Sequence, residues 1–148
     1  MNIFFICTGN TCRSPMAEAL FQSHNMEGMD VRSAGIYAMD GGDISENAKQ
    51  VIREAHIEYT HFSRQVREED VRWANLILTM TTAHKQMLMQ AFPFAADKIF
   101  TLKEYVRPYG SHDVSDPFGG DLYSYRQTFQ ELSLLTNELH SKLKQEES

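Results

Sequence analysis

The chain is poor in the features that would tie it to several large protein classes. It has only two cysteines in 148 residues, so no disulfide framework and no pair of metal-binding cysteine motifs can support it. No apolar run is long enough to cross a bilayer, and no leader segment precedes the first strand, which together predict a cytoplasmic protein without a membrane partner. The 14 Lys and Arg residues are outnumbered by 20 Asp and Glu, interspersed to a formal charge of −6, and no basic stripe offers a surface to nucleic acid. There is no Gly-x-Gly-x-x-Gly and no Gly-Lys-Ser/Thr, so neither nucleotide-binding fingerprint is present. The six histidines do not cluster in sequence; no metal site or cofactor is expected, and His112, beside Asp113 and near Asp116, is the histidine to watch. Repeats, low-complexity tracts and linkers are missing too. Residues 1–148 therefore read as a single domain with a core of its own.

What is present is concentrated at the start. Residues 7–14 read Cys7-Thr8-Gly9-Asn10-Thr11-Cys12-Arg13-Ser14, between an apolar strand-like stretch and a helix-like one. A turn carrying Gly9 and Asn10, which tolerate left-handed backbone, leads to Ser14-Pro15, a helix opening. Backbone N–H groups of such a loop converge on phosphate oxygens, the helix N-terminus favours negative charge, and Arg13 offers a planar fork for two oxygens. That positive field is expected to lower the Cys7 pKa and supply a thiolate nucleophile. The competing reading is a small buried cysteine closing a strand. It explains Cys7 alone, whereas the nucleophile reading explains the whole segment.

Hydrophobic periodicity alternates strand and helix. It predicts strands over 2–7, 30–34, 75–80 and 98–101. Helices are predicted over 14–25 (Met16, Ala17, Leu20 and Phe21 on one face), from a Ser45 cap to about His56, over 66–73, over 81–91 with methionines as core filling, and from about 122 to Lys144, with fraying beyond. A polar segment over 103–121 is read as a long loop. Tyr123 and Tyr125 are assigned to helix-face packing. Such alternation argues an α/β fold with a parallel sheet covered by helices on both faces, its site beyond the carboxyl ends of the strands, where Cys7 falls. A group departing from phosphorus needs a proton, and a general acid should come from another loop at that edge. Asp116 is the candidate: Pro117 stiffens the chain after it, Phe118 is an apolar neighbour, and Gly119-Gly120 permit movement. The pattern alone leaves Asp116 equally open as an Asp-Pro turn starter.

These residues resemble the low-molecular-weight protein tyrosine phosphatases over nearly the full length. The shared features are the Cys-x5-Arg-Ser loop, Ser33-Ala34-Gly35, His61-x-Ser63-Arg64-Gln65, the strand Ala74–Met80 and Asp116-Pro117-Phe118-Gly119-Gly120. The resemblance implies a four-stranded parallel sheet in a flavodoxin-like three-layer arrangement. It implies Cys7 as nucleophile, Arg13 and the loop (Thr8, Gly9, Asn10, Thr11, Cys12, Ser14) as phosphate site, and Asp116 as acid and then base. Asn10 resembles the residue that holds the strained loop, and Ser14 the hydroxyl that steadies the thiolate; turn tolerance and helix capping are the plainer readings of both. Cys12 resembles a cysteine that can bridge to the nucleophile, or is simply a small buried residue. Many relatives carry proline around Ile44-Ser45-Glu46 and aspartate at Asn75, so this chain departs from them there.

Thr11 stands where most tyrosine-specific relatives carry a bulky aliphatic residue. Together with Phe100–Val106 and the Asp116 segment, it resembles the bacterial protein arginine phosphatase subgroup. Phosphorylated proteins are the expected partners and phosphoarginine the expected substrate, with phosphotyrosine the alternative. An arsenate reductase would need cysteines outside the loop, and this chain has none. A phosphoprotein-binding module without turnover would have no need of Cys7 and Asp116.

Overall fold

The computed structural model describes residues 1–147. Four parallel strands, β1 (Asn2–Cys7), β2 (Asp30–Gly35), β3 (Leu76–Thr79) and β4 (Ile99–Thr101), form one sheet in the order β2-β1-β3-β4. β1 is central and buried on both faces, which explains its unbroken apolar sequence. Its side chains divide by the two-residue repeat of a strand. Ile3, Phe5 and Cys7 join a core with α1 (Arg13–Ser23), α2 (Glu46–Glu54), α5 (Leu102–Val106) and α6 (Leu122–Glu147), while Phe4 and Ile6 join a smaller core with α3 (Glu68–Trp73) and α4 (Thr82–Ala91). A short 3-10 turn, Pro93–Lys98, leads into β4.

The strands fall where the hydrophobic pattern puts them, within a residue of each end. Three helical expectations change. The segment over 103–121 is not all loop: Thr101 caps α5 and Glu104 returns the bond, a capping box that opens a five-residue helix. In α4 the buried side chains are His84 and Leu88; Met89 is half-buried against the smaller core and Met87 is half-buried, so the methionines fill the core only in part. Every residue of α1 from Arg13 to Phe21 is buried, so this helix has no solvent face over that length. α1 lies between the sheet and α6, and its polar residues serve the loop described below. Ser45 does cap α2, its hydroxyl accepting from the Ala48 N–H at 3.3 Å. α6 runs to Glu147, and Ser148, the last of the residues expected to fray, lies outside the described residues. Tyr125 packs as expected, whereas Tyr123 is exposed.

Candidate active site

The 7–14 segment turns sharply from the end of β1 into α1. Two side-by-side backbone bonds, Ile36 N–H to the Cys7 carbonyl at 3.0 Å and Tyr37 N–H to the Thr8 carbonyl at 2.9 Å, tie it to the end of β2. The approach is so close that a Cβ on Gly35 would sit 2.4 Å from the Thr8 carbonyl oxygen and 2.9 Å from the Asn10 nitrogen. Only glycine fits there.

Asn10 has a left-handed backbone, φ 56°, and its side chain is wholly buried beneath the turn. Its amide nitrogen donates to Ser14 Oγ at 2.8 Å and Ser33 Oγ at 3.0 Å. Its Oδ1 accepts from His61 Nε2 at 2.7 Å and from the Arg64 N–H at 3.0 Å, and the Ser63 hydroxyl donates to its carbonyl at 2.9 Å. Because Oδ1 can only accept, His61 carries its proton on Nε2. Burial, with the Arg64 charge, pushes His61 down to about 4. Ser33 in turn donates to Glu18 at 2.5 Å, and burial pushes that carboxyl up despite the bond. His61 Nδ1 and the Glu18 carboxyl lie 3.7 Å apart, each driven by burial towards its neutral form.

Cys7 Sγ lies 2.8 Å from Ser14 Oγ and 3.3 Å from the Asn10 N–H. Burial pushes the Cys7 thiol up from its ordinary value, against the opposing pull of the Ser14 hydroxyl, the Ser14 and Asn10 amides and Arg13. The expected lowering counted the positive groups and left out the desolvation of a sulfur that only a three-dimensional packing reveals. Cys12, the last residue before α1, makes no side-chain cap; its sulfur is 3.2 Å from the Tyr125 hydroxyl and 3.7 Å from Ser45 Oγ. Both cysteines are free thiols.

Eight of the ten residues expected at the site line one cavity of about 240 Å3: Cys7, Thr8, Gly9, Thr11, Cys12, Arg13, Asp116 and Phe118. Asn10 and Ser14 lie behind it, as supports. Arg13 donates to the Val114 carbonyl at 3.2 Å, and its other terminal nitrogen is 3.5 Å from Asp116 Oδ2. The Asp116 carboxyl is half-exposed, and its Oδ1 accepts from the Phe118 N–H at 3.0 Å, so the turn-starter reading of Asp-Pro is also correct. Phe118 stands exposed at the rim.

His112 takes no part; the histidines at the site are His61 and His84. His84 Nε2 lies 2.8 Å from Thr8 Oγ1, and burial together with the Arg13 charge pushes it down to about 4, against Asp116 and Asp113. Nothing in its local sequence distinguishes it. A position in the first turn after a strand that ends at this sheet edge was the available signal. Among the departures, Ser45 holds the loop wall through its N–H to the Thr11 carbonyl at 3.0 Å, and Asn75 Oδ1 accepts from the Asn2 N–H at 2.7 Å, a neutral role at the strand start.

A thiol, a guanidinium and a carboxyl facing one small cavity at a helix N-terminus are the groups that phosphoryl chemistry through sulfur calls for. The chain belongs to the family described as low molecular weight phosphotyrosine protein phosphatase, whose profile matches residues 2–148. A protein-arginine-phosphatase of Bacillus subtilis (strain 168) is 49% identical over 150 residues, covering 99% of each chain. The structure of the YwlE arginine phosphatase from Geobacillus stearothermophilus superposes with a TM-score of 0.95 at 46% identity, covering 98% of this chain and 94% of that one. A further YwlE arginine phosphatase structure, a cysteine-to-serine mutant with a phosphorylated active site serine, superposes at 0.93 with 47% identity, covering 97% of this chain and 96% of that one.

Proposed function

We propose that this chain is a protein arginine phosphatase that hydrolyses phosphoarginine on proteins through a cysteinyl-phosphate intermediate, acting as one domain over residues 1–148. The observation that carries the reading is the composition of the 240 Å3 cavity, where Cys7, Arg13 and Asp116 meet with Thr11 in the wall. The two kinds of relative named above, one called a protein-arginine-phosphatase and one holding a phosphorylated active site serine, support it.

In the proposed sequence Cys7 attacks phosphorus as the thiolate, the minority form of a buried thiol, favoured by the Ser14 hydroxyl, the Ser14 and Asn10 amides and Arg13. A sulfur–phosphorus bond forms as the phosphorus–nitrogen bond of phosphoarginine breaks. Arg13 and the loop N–H groups take up the charge on the transferring oxygens, so the chemistry calls for no metal. Asp116 gives its proton to the departing nitrogen, a strongly basic leaving group, and the arginine guanidinium is restored. The Asp116 carboxylate then takes a proton from water as that water attacks phosphorus, releasing inorganic phosphate and Cys7. Thr11 is smaller than the aliphatic alternatives and brings a hydroxyl able to accept from a guanidinium N–H. A reactive thiol belongs in reducing surroundings, which favours the cytoplasm. No helix among the described residues is long and apolar enough to cross a membrane.

Phosphotyrosine is the second reading, favoured by the family's description and by Phe118 at the rim, whose ring can flank a phenol as well as a guanidinium. Phosphate release from matched phosphoarginine and phosphotyrosine peptides separates the two. The expected result is a preference for phosphoarginine that Thr11→Ile reduces by about tenfold or more, the range a few pocket contacts command. A parent preference for phosphotyrosine would overturn the arginine assignment, and an undiminished Cys7→Ser variant would overturn the covalent mechanism.

A further inference from the structure

The Asp116 carboxyl has few partners of its own: one N–H two residues along and a 3.5 Å approach by Arg13, with more than half its side chain exposed. What holds it is upstream. Val114 is buried, its N–H donates to the Met80 carbonyl at 2.9 Å and its carbonyl accepts from Arg13. The residues on either side of Val114 are gripped by a single ion pair that does not reach the cavity. Lys103 of α5 and Glu131 of α6 lie 2.9 Å apart, both half-buried. Lys103 Nζ also donates to the Asp113 carbonyl at 2.9 Å. Glu131 Oε1 accepts from the Ser115 N–H at 3.1 Å and lies 3.4 Å from the Ser115 hydroxyl, which itself meets Thr128 Oγ1 at 2.8 Å. Asp113 is held a second time through its side chain, which accepts from the Thr82 N–H at 2.8 Å.

We propose that the Lys103–Glu131 pair is a clamp whose function is to position Asp116 as proton donor, a specificity device for basic leaving groups; it rests on the reading of Asp116 given above. The reasoning is geometric. Asp116 precedes Pro117, which confines its own backbone to extended conformations, so the direction of its carboxyl follows from where Ser115 is held. Proton transfer to a departing atom requires hydrogen-bond reach, and a misplacement of about 1 Å is enough to forfeit much of it. Cys7 and the loop are fixed by other contacts, and the Val114 carbonyl that Arg13 meets is held apart from the clamp by the burial of Val114 and its N–H bond to Met80. Losing the clamp should therefore damage leaving-group protonation and spare phosphate capture.

The test compares Glu131→Ala, Lys103→Met, their double variant and Asp116→Asn on a phosphoarginine peptide and on para-nitrophenyl phosphate, whose leaving group departs without a proton. Folding is checked by circular dichroism melts. Asp116→Asn should lose about 100-fold more on phosphoarginine than on the activated ester, and each clamp variant about tenfold more, since positioning removes part of a general acid's 10²–10⁴ contribution. KM for both substrates should move little. The double variant should lose no more than the worse single one, because the two side chains act as one unit. Equal losses on both substrates, or none, in the clamp variants while Asp116→Asn shows the split would overturn the clamp and leave Asp116 standing. An Asp116→Asn variant without the split would overturn the reading on which it rests.

Discussion

Replacing Asn10 removes the support on which the Cys7–Ser14 loop rests. Its side chain makes four hydrogen bonds in full burial, to Ser14, Ser33, His61 and the Arg64 N–H. At a net of about 0.5–1.5 kcal/mol each, their loss in Asn10→Ala costs roughly 2–6 kcal/mol, partners left unpaired included. Alanine adds about 1–2 kcal/mol for the left-handed backbone that asparagine tolerates. The central expectation is about 5–6 kcal/mol, a large share of an ordinary domain's stability of about 5–15 kcal/mol. Asn10→Gly loses the same bonds without the left-handed cost, but regains about 0.5–1 kcal/mol of unfolded-chain entropy to lose, so it should be about 0.5–1 kcal/mol more stable than the alanine variant. Urea unfolding with a common slope measures both differences, and phosphate release reports the loop. A loss below about 1 kcal/mol in Asn10→Ala would refute the claim that this network holds the turn. Equal stability of the two variants would refute the strain.

Ser14→Ala removes the hydroxyl 2.8 Å from Cys7 Sγ. The thiolate becomes harder to form, and alkylation of Cys7 by iodoacetamide at neutral pH, followed by peptide mass spectrometry, should slow by about tenfold or more, the worth of one bond to a charged group. Gly35→Ala drives a Cβ into the Thr8 carbonyl and the Asn10 nitrogen, so the loop must shift, and kcat/KM should fall by about 100-fold; retention of parent activity would mean the loop has slack. His84 is held at about 4 in the folded protein, against about 6.5 unfolded. Its contribution to stability is full above about 6.5 and lost as pH falls through 4, because the unfolded chain takes up the proton first. Urea midpoints over that window should decline more steeply in the parent than in His84→Asn, and parallel slopes would show that His84 does not titrate with unfolding.

The strands and the loop that follows the first of them were legible in the chain because their signals are local. Ile3 to Ile6 alternate between two cores and so are apolar at every position, and Cys7 to Ser14 carry residue types that a phosphate turn demands. The Ser45 cap is local in the same way. Asp116 was half legible: its turn is written in Asp-Pro, its partnership with Arg13 is not. Only the tertiary structure decided that His84 and not His112 meets the loop, that Ser14 and Glu18 of α1 are buried beneath it, and that the desolvated Cys7 thiol sits above its ordinary value. The Lys103–Glu131 grip on the Asp116 segment joins residues 28 positions apart, through two helices whose packing no short-range pattern encodes. Hydrogen-bond partners, burial and charge separation depend on distances across the fold, whereas turn chemistry and apolar periodicity depend on the next few residues. The chain by itself therefore determined the strand–helix order and the candidate reacting groups. Packing alone decided how those groups are held.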